Sequence, residues 1–458
     1  MADIQTAVVR YTLPQVTGNF TVSIPSATWT PKAVIAFVSQ TGGNIATTSV
    51  GMSDGTNQRA LHVMAADAQT TTNTSRMAST TNFIKFYNST GVLLLQVDAV
   101  GTGLGPGSGQ WVFNVPAEST VFDREAVFIF FGGNDLQAAV ESFKPNVTQN
   151  ATATETVGFD PDLVFFATVG YGAEITPFEE DSRHAVLSLG AVHNNGGTPV
   201  QAMATYSNVD NVNPSVVTSS IFNNRAIGQV FNDAINWTGE ITSFPANGFT
   251  MTTRDGATAD DWVYYLALNV GGGDVSVNTW TWPDSTEDSV DYSITGVGFT
   301  PDLAVLITPL LSESSFSFNT AYGKGSVINV SAFDADARAG AVGMASNDNV
   351  SPTEESSFES DKPVYTVRAN GTSIVTVNSF TFNSDGVTFP AADLTSTSSS
   401  GTYAWGFFVG DGVLATVRPF LIKPISRNSR VFMPTIAGDT FVSVSEPGPI
   451  QYKITMII

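Results

Sequence analysis

The 458-residue chain contains no cysteine, which excludes disulfides, thiolate nucleophiles and cysteine-ligated zinc. Charged residues make up only 13% of the sequence, against about a quarter in ordinary globular proteins. The net charge is −22, and no cluster of Lys and Arg is present that could displace counterions from phosphates. We therefore expect no nucleic-acid partner, and an anionic membrane surface would repel the chain.

Long apolar runs are also missing, since none approaches the ~20 residues needed to cross a membrane. The opening stretch MADIQTAVVRYTLP has neither the basic start nor the apolar centre of a secretory signal peptide. We expect a protein that is made in a cytoplasm without a signal peptide and that is not inserted into a membrane.

Candidate catalytic groups are scarce. The three histidines, His62, His184 and His193, lack the further ligands of a zinc site, and no nucleophile elbow is present. The glycine-rich stretch GTGLGPGSG is followed by Gln110 and Trp111 instead of the Lys and Ser/Thr of a phosphate-binding loop. The 41 acidic residues leave room for a carboxyl pair of the glycosidase type. No motif points to such a pair, and we predict no catalytic residue.

What the sequence does contain is an internal repeat. The segments VGFDPDLVFF and VGFTPDLAVL match closely and WTPKAVIAFV matches them more loosely, which aligns Pro31, Pro161 and Pro301. Each unit then closes on an apolar segment, such as EAVFIFFGGND in the first. The repeat predicts three modules and a remainder too short for a fourth, read as a partial module or interaction tail. The predicted ranges are 1–135, 136–274, 275–412 and, for the tail, 413–458.

Within each module the residue pattern is that of β-strands. Segments such as FTVSIP, VSVNTWTW and IVTVNSFTF alternate apolar and polar residues, which is typical of half-buried strands. DLVFFATV and AVFIFF are apolar throughout, which favours central strands buried on both faces. With turn signals such as Asn-Gly and Asp-Gly between the strands, we predict an all-β protein of three tandem antiparallel β-sandwiches, jelly-roll-like or lectin-like, plus a short C-terminal strand extension.

The repeated segment itself predicts a structural corner. Proline cannot donate a ladder hydrogen bond, so Pro161 and Pro301 belong at the first residue of a strand. Asp162 and Asp302 follow, and a carboxylate at that place can accept backbone N–H groups. The first module has Lys32 instead, so the corner does not require a carboxylate.

Two polar segments recur and are candidate ligand sites: SNVDNVNPS over 207–215 and SNDNVSPT over 346–353. Asn and Asp beside an aromatic ring form sugar-binding sets, whereas the same residues also stabilise their own backbone as Asx and Ser turns. Both interpretations stay open. The candidate ligand-binding residues are Tyr206, Asn208, Asp210, Asn211, Asn347, Asp348 and Asn349.

A metal site is suggested only by DADAR, where Asp334 and Asp336 have the spacing of paired oxygen ligands. Calcium accepts such ligands, but the Gly and the distal Glu of an EF-hand loop are absent. Solvated acids are the alternative, so no cofactor is predicted except calcium at this one place.

The motif G-F-x-P-D-L-V, here Gly158 to Val164 and in part Gly298 to Leu303, resembles a segment found in structural proteins of tailed phages and related viruses. In that family a Trp and a Lys usually follow on the strand, whereas this chain has Phe165-Phe166 and Val305-Leu306. The resemblance implies a virion component and carries over no catalytic residue.

We therefore expect a non-enzymatic virion structural protein, such as a tail fibre, head spike or decoration protein. Its expected partners are copies of itself, other virion proteins and a glycan of the host surface. The alternatives are a lectin-like carbohydrate-binding protein and a polysaccharide-degrading enzyme. Absence of a signal peptide and of disulfides fits a protein assembled in a cytoplasm that works outside it.

Overall fold

The computed structural model describes residues 4–25, 27–42, 44–99, 109–118, 122–170, 172, 174–175, 184–257, 261–283, 290–309, 318–320, 326–370, 372–396 and 402–411. Their regular structure is entirely antiparallel strand, which confirms the all-β prediction. No helix in this part of the chain is long and apolar enough to cross a membrane. The predicted tail, 413–458, lies outside the described residues.

Module 1 is a sandwich of a six-stranded and a four-stranded sheet, in the strand orders β1-β10-β3-β4-β5-β6 and β2-β9-β8-β7. Its strands are β1 Gln5–Thr12, β2 Gly18–Ser23, β3 Pro31–Gln40, β4 Ile45–Ser53, β5 Gln58–Ala66, β6 Thr74–Ser79, β7 Ile84–Tyr87, β8 Leu93–Asp98, β9 Gln110–Glu118 and β10 Arg124–Gly132.

Module 2 repeats this topology, with the orders β11-β20-β13-β14-β15-β16 and β12-β19-β18-β17. Its strands are β11 Gln137–Phe143, β12 Thr152–Thr156, β13 Leu163–Thr168, β14 Ala185–Asn195, β15 Thr198–Asn208, β16 Val217–Phe222, β17 Ile227–Phe231, β18 Ala234–Ser243, β19 Gly248–Thr253 and β20 Val263–Asn269.

Module 3 keeps the six-stranded sheet, β21-β32-β23-β24-β25-β26, but divides its outer layer into β22-β30-β29 and β27-β28-β31. Its strands are β21 Asp274–Trp282, β22 Tyr292–Ile294, β23 Leu303–Pro309, β24 Ser326–Asp334, β25 Ala339–Ser346, β26 Glu355–Ser360, β27 Val364–Val367, β28 Ser373–Val377, β29 Thr381–Asn383, β30 Gly386–Phe389, β31 Leu394–Ser396 and β32 Thr402–Gly410.

The apolar segments form central strands, as predicted. β10 and β13 are buried at every residue, and each lies between two neighbours in its six-stranded sheet. Alternate side chains of a central strand point into two different apolar cores. On β3, Val34 and Ala36 pack inside the module 1 sandwich, whereas Ile35 and Phe37 point the other way into a second core.

That second core is shared by all three modules, which the sequence did not predict. One continuous cluster of buried apolar side chains draws on the inner faces of the three six-stranded sheets. The ring centroids of Phe37 in module 1 and Phe165 in module 2 are 6.0 Å apart, and those of Phe165 and Phe407 in module 3 are 6.1 Å apart. The modules therefore surround one interior and form a single compact unit, residues 1–415.

The strand registers define two ends of this body. At the hairpin end, β1 begins, β32 ends, and the β4–β5 turn lies at 54–57 together with the equivalent β14–β15 and β24–β25 turns. At the opposite loop end lie the connections β5–β6, β15–β16 and β25–β26. The polar segments singled out from the sequence belong to the loop end.

Candidate functional site

At the loop end the three connections bind one another in a cyclic arrangement. We call residues 67–74, 210–217 and 348–355 the clasp. In each segment a backbone N–H donates to a carbonyl of another module: Ala68 to Thr353 at 2.9 Å, Asn211 to Thr72 at 2.9 Å and Asn349 to Ser215 at 2.8 Å. The returning bonds are Thr72 to Val212, Ser215 to Val350 and Thr353 to Gln69, at 3.0, 3.1 and 2.8 Å.

Side-chain hydroxyls repeat the same symmetry. The hydroxyl oxygens of Thr72, Ser215 and Thr353 each accept a backbone N–H from the neighbouring module. The donors are Val212 at 2.9 Å, Val350 at 3.1 Å and Gln69 at 3.0 Å, respectively. Each hydroxyl therefore fixes the loop that its own backbone also contacts.

Carboxylates complete the clasp. Asp67, Asp210 and Asp348 accept the backbone N–H of the first residue of an edge strand in the adjacent module. The donors are Glu355 at 2.9 Å, Thr74 at 2.8 Å and Val217 at 2.8 Å. A carboxylate is well suited to this task because it accepts from an otherwise unpaired N–H at the end of a strand.

The backbone of the clasp explains part of its composition. Asn211 and Asn349 have φ values of 58° and 56°, in the left-handed region that Asn tolerates better than most residues. Ala68, with φ of 56°, takes the same conformation in module 1. The local sequence therefore serves the contact between modules, and the Asn residues have a conformational role besides any contact with a ligand.

Most of the seven predicted ligand residues are engaged by other parts of the protein. Tyr206 and Asn208 are buried, and their side chains bond to Ser346 and Glu355 of module 3. Asp210 and Asp348 hold strand ends, as described above. The side-chain amide of Asn347 donates to Glu354. The structure thus gathers all seven at the loop end, while their assignment to a ligand stays a prediction.

An open groove lies beside the clasp between modules 1 and 3. It has a volume of about 580 Å³ and is lined by Asp67, Ala68 and residues 349–354. Asn349 is the one predicted ligand residue on this lining. The groove carries two carboxylates, Asp67 and Glu354, with backbone and hydroxyl groups between them.

The hairpin end has a second cyclic set of contacts. A backbone N–H on the first strand of each module donates to a side chain in, or close to, the β4–β5-type turn of another module. Val140 donates to Asp54 Oδ2 at 2.8 Å, Val277 to His193 Nδ1 at 2.9 Å and Val8 to Asp334 Oδ2 at 2.7 Å. Burial lowers the pKa of His193 to about 4, which keeps Nδ1 free to accept.

The structure places the predicted calcium ligands in this contact. Asp334 accepts from the backbone of Asp336 at 3.0 Å and from Arg338 Nε at 2.7 Å, while Asp336 forms an ion pair with Arg338 at 2.9 Å. Arg338 already supplies the positive charge here. In the described part of the chain, no group of three or more acidic or His side chains could hold a metal ion.

The repeated corner has the predicted carboxylate contacts, although β13 and β23 begin at Leu163 and Leu303, two residues after the prolines. Asp162 Oδ2 accepts the N–H of Val270 and Asp302 Oδ2 that of Asp411, both at 2.8 Å. Lys32 does the reverse in module 1, since its Nζ donates to the carbonyls of residues 134 and 136 at 3.0 and 2.9 Å. At this corner a side chain therefore hydrogen-bonds to the segment that follows the last strand of its module.

Sequence reasoning missed three groups of the clasp: Asp67, Glu355 and the hydroxyl residues Thr72, Ser215 and Thr353. A signal for most of them was present at aligned positions of the repeat, because Asp67, Asp210 and Asp348 are each followed five residues later by Thr or Ser. No repeat could have indicated Glu355, because modules 1 and 2 have Thr74 and Val217 at the equivalent position.

No family model matches the chain, and no curated protein matches its sequence.

Proposed function

We propose that this chain is a non-enzymatic structural protein of a virion, in the form of a spike, fibre or decoration on the particle. The observation that carries the proposal is the body itself. Three sandwiches enclose one apolar core, and cyclic hydrogen bonds join them at both ends. Such a construction yields a stiff unit with approximate threefold symmetry, which can occupy a place where a homotrimer would otherwise stand.

The two ends suit different tasks. The first and last strands of the body, β1 and β32, begin and end at the hairpin end, which we assign to attachment. All large apolar side chains that are exposed in the described part of the chain lie towards the loop end, which we assign to contact with the host or with another virion protein. These residues are Val16, Val92, Val147, Ile235 and Val290.

A lectin-like function is the second candidate, favoured by the groove beside the clasp. Its lining of carboxylates, hydroxyls and amide-bearing residues such as Asn349 has the chemistry that binds sugar hydroxyls. The two functions are compatible if the particle attaches to a host glycan through its loop end.

Antibodies raised against the purified chain test the main proposal. They should label particles that are purified on a density gradient from cultures of the source, in immuno-electron microscopy. Recovery of the chain only in the particle-free soluble fraction would overturn the proposal.

A glycan array probed with the full chain tests the second candidate. Binding that is lost in Asn349→Ala and kept in Asn19→Ala, an exposed Asn on β2 of the outer sheet of module 1, would place the glycan in the groove. Absence of binding to any glycan would exclude a lectin function and leave the structural one in place.

A further inference from the structure

The clasp residue Glu355 bonds to all three modules through its own groups. Its backbone N–H donates to Asp67 Oδ1 of module 1 at 2.9 Å. Its carboxyl Oε1 accepts from Asn208 Nδ2 of module 2 at 2.9 Å, and its Oε2 is hydrogen-bonded to Ser346 Oγ within module 3. Ser346 Oγ continues to the hydroxyl of Tyr206 in module 2 at 2.7 Å.

This carboxyl is buried without a cation. Glu355 is 6% exposed, and within the described residues no Lys, Arg or His pairs with it. The ionisable groups that face it are Asp67 from module 1 and Tyr206 from module 2, and neither can supply a positive charge. Burial, with the nearby Asp67 carboxylate, raises the pKa of Glu355 well above its usual range, although hydrogen bonds from Ser346 and Asn208 act in the opposite direction.

We propose that the junction of the three modules is held closed by a protonated Glu355 and opens when this carboxyl loses its proton. In the neutral form Glu355, Ser346 and Tyr206 each carry one O–H, so a continuous chain of hydrogen bonds forms with no charge inside. In the ionised form a buried carboxylate keeps two neutral donors and no counter-ion, which is a costly state in a low-dielectric interior.

The sign of the effect follows from linkage. The closed junction retains the proton, whereas an opened junction exposes Glu355 to water, where it ionises near its ordinary pKa of 4.5. The junction is therefore most stable at acid pH. Its stability decreases as the pH rises from about 4.5 towards the raised pKa of Glu355. Over this range the opening equilibrium rises up to about tenfold for each pH unit, because one proton is released.

Among the three equivalent clasp positions, only that of module 3 has a titratable side chain. The equivalent residues in modules 1 and 2 are Thr74 and Val217, and neither side chain titrates. The Glu355 carboxyl thus weakens the three-module junction as the pH rises, whatever role the body has in biology. The chain also supplies its own non-titrating replacement, Thr, for this position.

Hydrogen–deuterium exchange of the full chain between pH 5 and pH 9, corrected for the intrinsic pH dependence of exchange, tests the proposal. Peptides covering 204–217 and 341–356 report on the junction, and a peptide covering β19 in the module 2 sandwich is the internal reference. In the wild type, junction protection should fall by up to about tenfold per pH unit over part of this range. In Glu355→Gln, which keeps an acceptor for Asn208 and a donor for Ser346, protection should not fall as the pH rises.

Glu354→Gln is the matched control, because Glu354 is the exposed neighbour and its change removes the same charge. It should behave as the wild type. Equal pH dependence in the wild type and in Glu355→Gln would overturn the proposal, as would junction protection in the wild type that does not change with pH. If the Gln variant does not fold, Glu355→Thr replaces it as the non-titrating variant. Wild-type junction protection that is the same at every pH would still overturn the proposal.

Discussion

At the scale of single residues, two kinds of acceptor perform one task at the hairpin end. Asp54 and Asp334 accept the N–H of a neighbouring module with a carboxylate, whereas His193 does so with Nδ1 of its ring. An imidazole can accept only while that nitrogen carries no proton. The contact between modules 2 and 3 therefore depends on pH. With a non-titrating acceptor in place of His193, this dependence would be absent.

The first prediction concerns His193→Asn, whose Oδ1 can accept from Val277 without titrating. Because burial lowers the pKa of His193 from 6.5 to about 4, its contribution to stability is present above pH 6.5 and is lost as the pH falls towards 4. The full loss corresponds to about 3 kcal/mol in the free energy of unfolding. Urea unfolding at several pH values should show a smaller acid loss in the variant than in the wild type.

His62 remains in both proteins and supplies the background, since burial lowers its pKa to about 3. Its ring is hydrogen-bonded to Thr47 within module 1 and takes no part in the Val277 contact, so its effect should be equal in the two proteins. An acid loss of the same size in the variant and the wild type would show that the His193 contact contributes nothing.

Residue roles could be predicted where the reason is local. The corner carboxylates Asp162 and Asp302 were recognised because a strand that begins after a proline leaves backbone N–H groups to be paired nearby. The sequence suggests Tyr206 as a ligand residue, because it does not show that this ring is buried and that its hydroxyl bonds to module 3. Burial by another module is a property of the assembled body.

At the scale of elements, the clasp shows one connection built three times with the same spacing. In each module a residue with positive φ lies four positions before the hydroxyl residue, as in Asn211 and Ser215. The hydroxyl is Thr in modules 1 and 3 and Ser in module 2. This natural variation provides a matched pair of substitutions.

The second prediction is that Ser215→Ala destabilises the contact between modules 2 and 3, whereas Ser215→Thr does not. Ser215 Oγ donates to the carbonyl of Asn347 at 2.8 Å and accepts from Val350 N–H at 3.1 Å. Removal of the hydroxyl leaves both backbone groups without this partner and should cost about 1–3 kcal/mol of unfolding free energy. The midpoints of urea unfolding for the three proteins provide the measurement.

Thr has the required hydroxyl and already occupies this place in two modules, so its midpoint should match that of the wild type. If Ala and Thr shift the midpoint equally, the loss comes from a change of packing and the hydrogen bonds of Ser215 have no net value.

Strands were predictable and their contacts across modules were not. A period of two residues, or a wholly apolar run, depends on a strand and its immediate neighbours, so it can be read from a short window. The clasp pairs segments that are 130 or more residues apart, such as Asn211 with Thr72 and Asn349 with Ser215. No local pattern specifies such a partner.

At the scale of the whole molecule, the shared core explains the apolar composition of the central strands. In an isolated two-layer sandwich, one face of each sheet is exposed to water. β10 and β13 are nevertheless buried at every residue, because the other face of each six-stranded sheet packs on the two remaining modules. The apolar runs indicated that a second face is covered, but they could not say by what.

The third prediction follows from this core: the body should unfold in one cooperative transition and not module by module. Phe249→Ala tests it, because Phe249 lies in the separate core of the module 2 sandwich, with ring centroids 5.5 Å from Phe166 and 5.2 Å from Tyr265. Loss of a buried Phe costs about 3–5 kcal/mol. In calorimetry the whole heat absorption peak should move to lower temperature, since the module 2 sheet also lines the core of modules 1 and 3.

Thr154→Ala on the exposed face of β12 changes the same sandwich without touching its core and should leave the transition where it is. Independent modules would give another result. In Phe249→Ala a separate peak for module 2 would appear at lower temperature, and the peak of modules 1 and 3 would stay at the wild-type temperature. That outcome would mean that each sandwich is stable without the shared core. The cyclic contacts at the two ends would then join finished domains, whereas we infer that they close a body in which no module is complete alone.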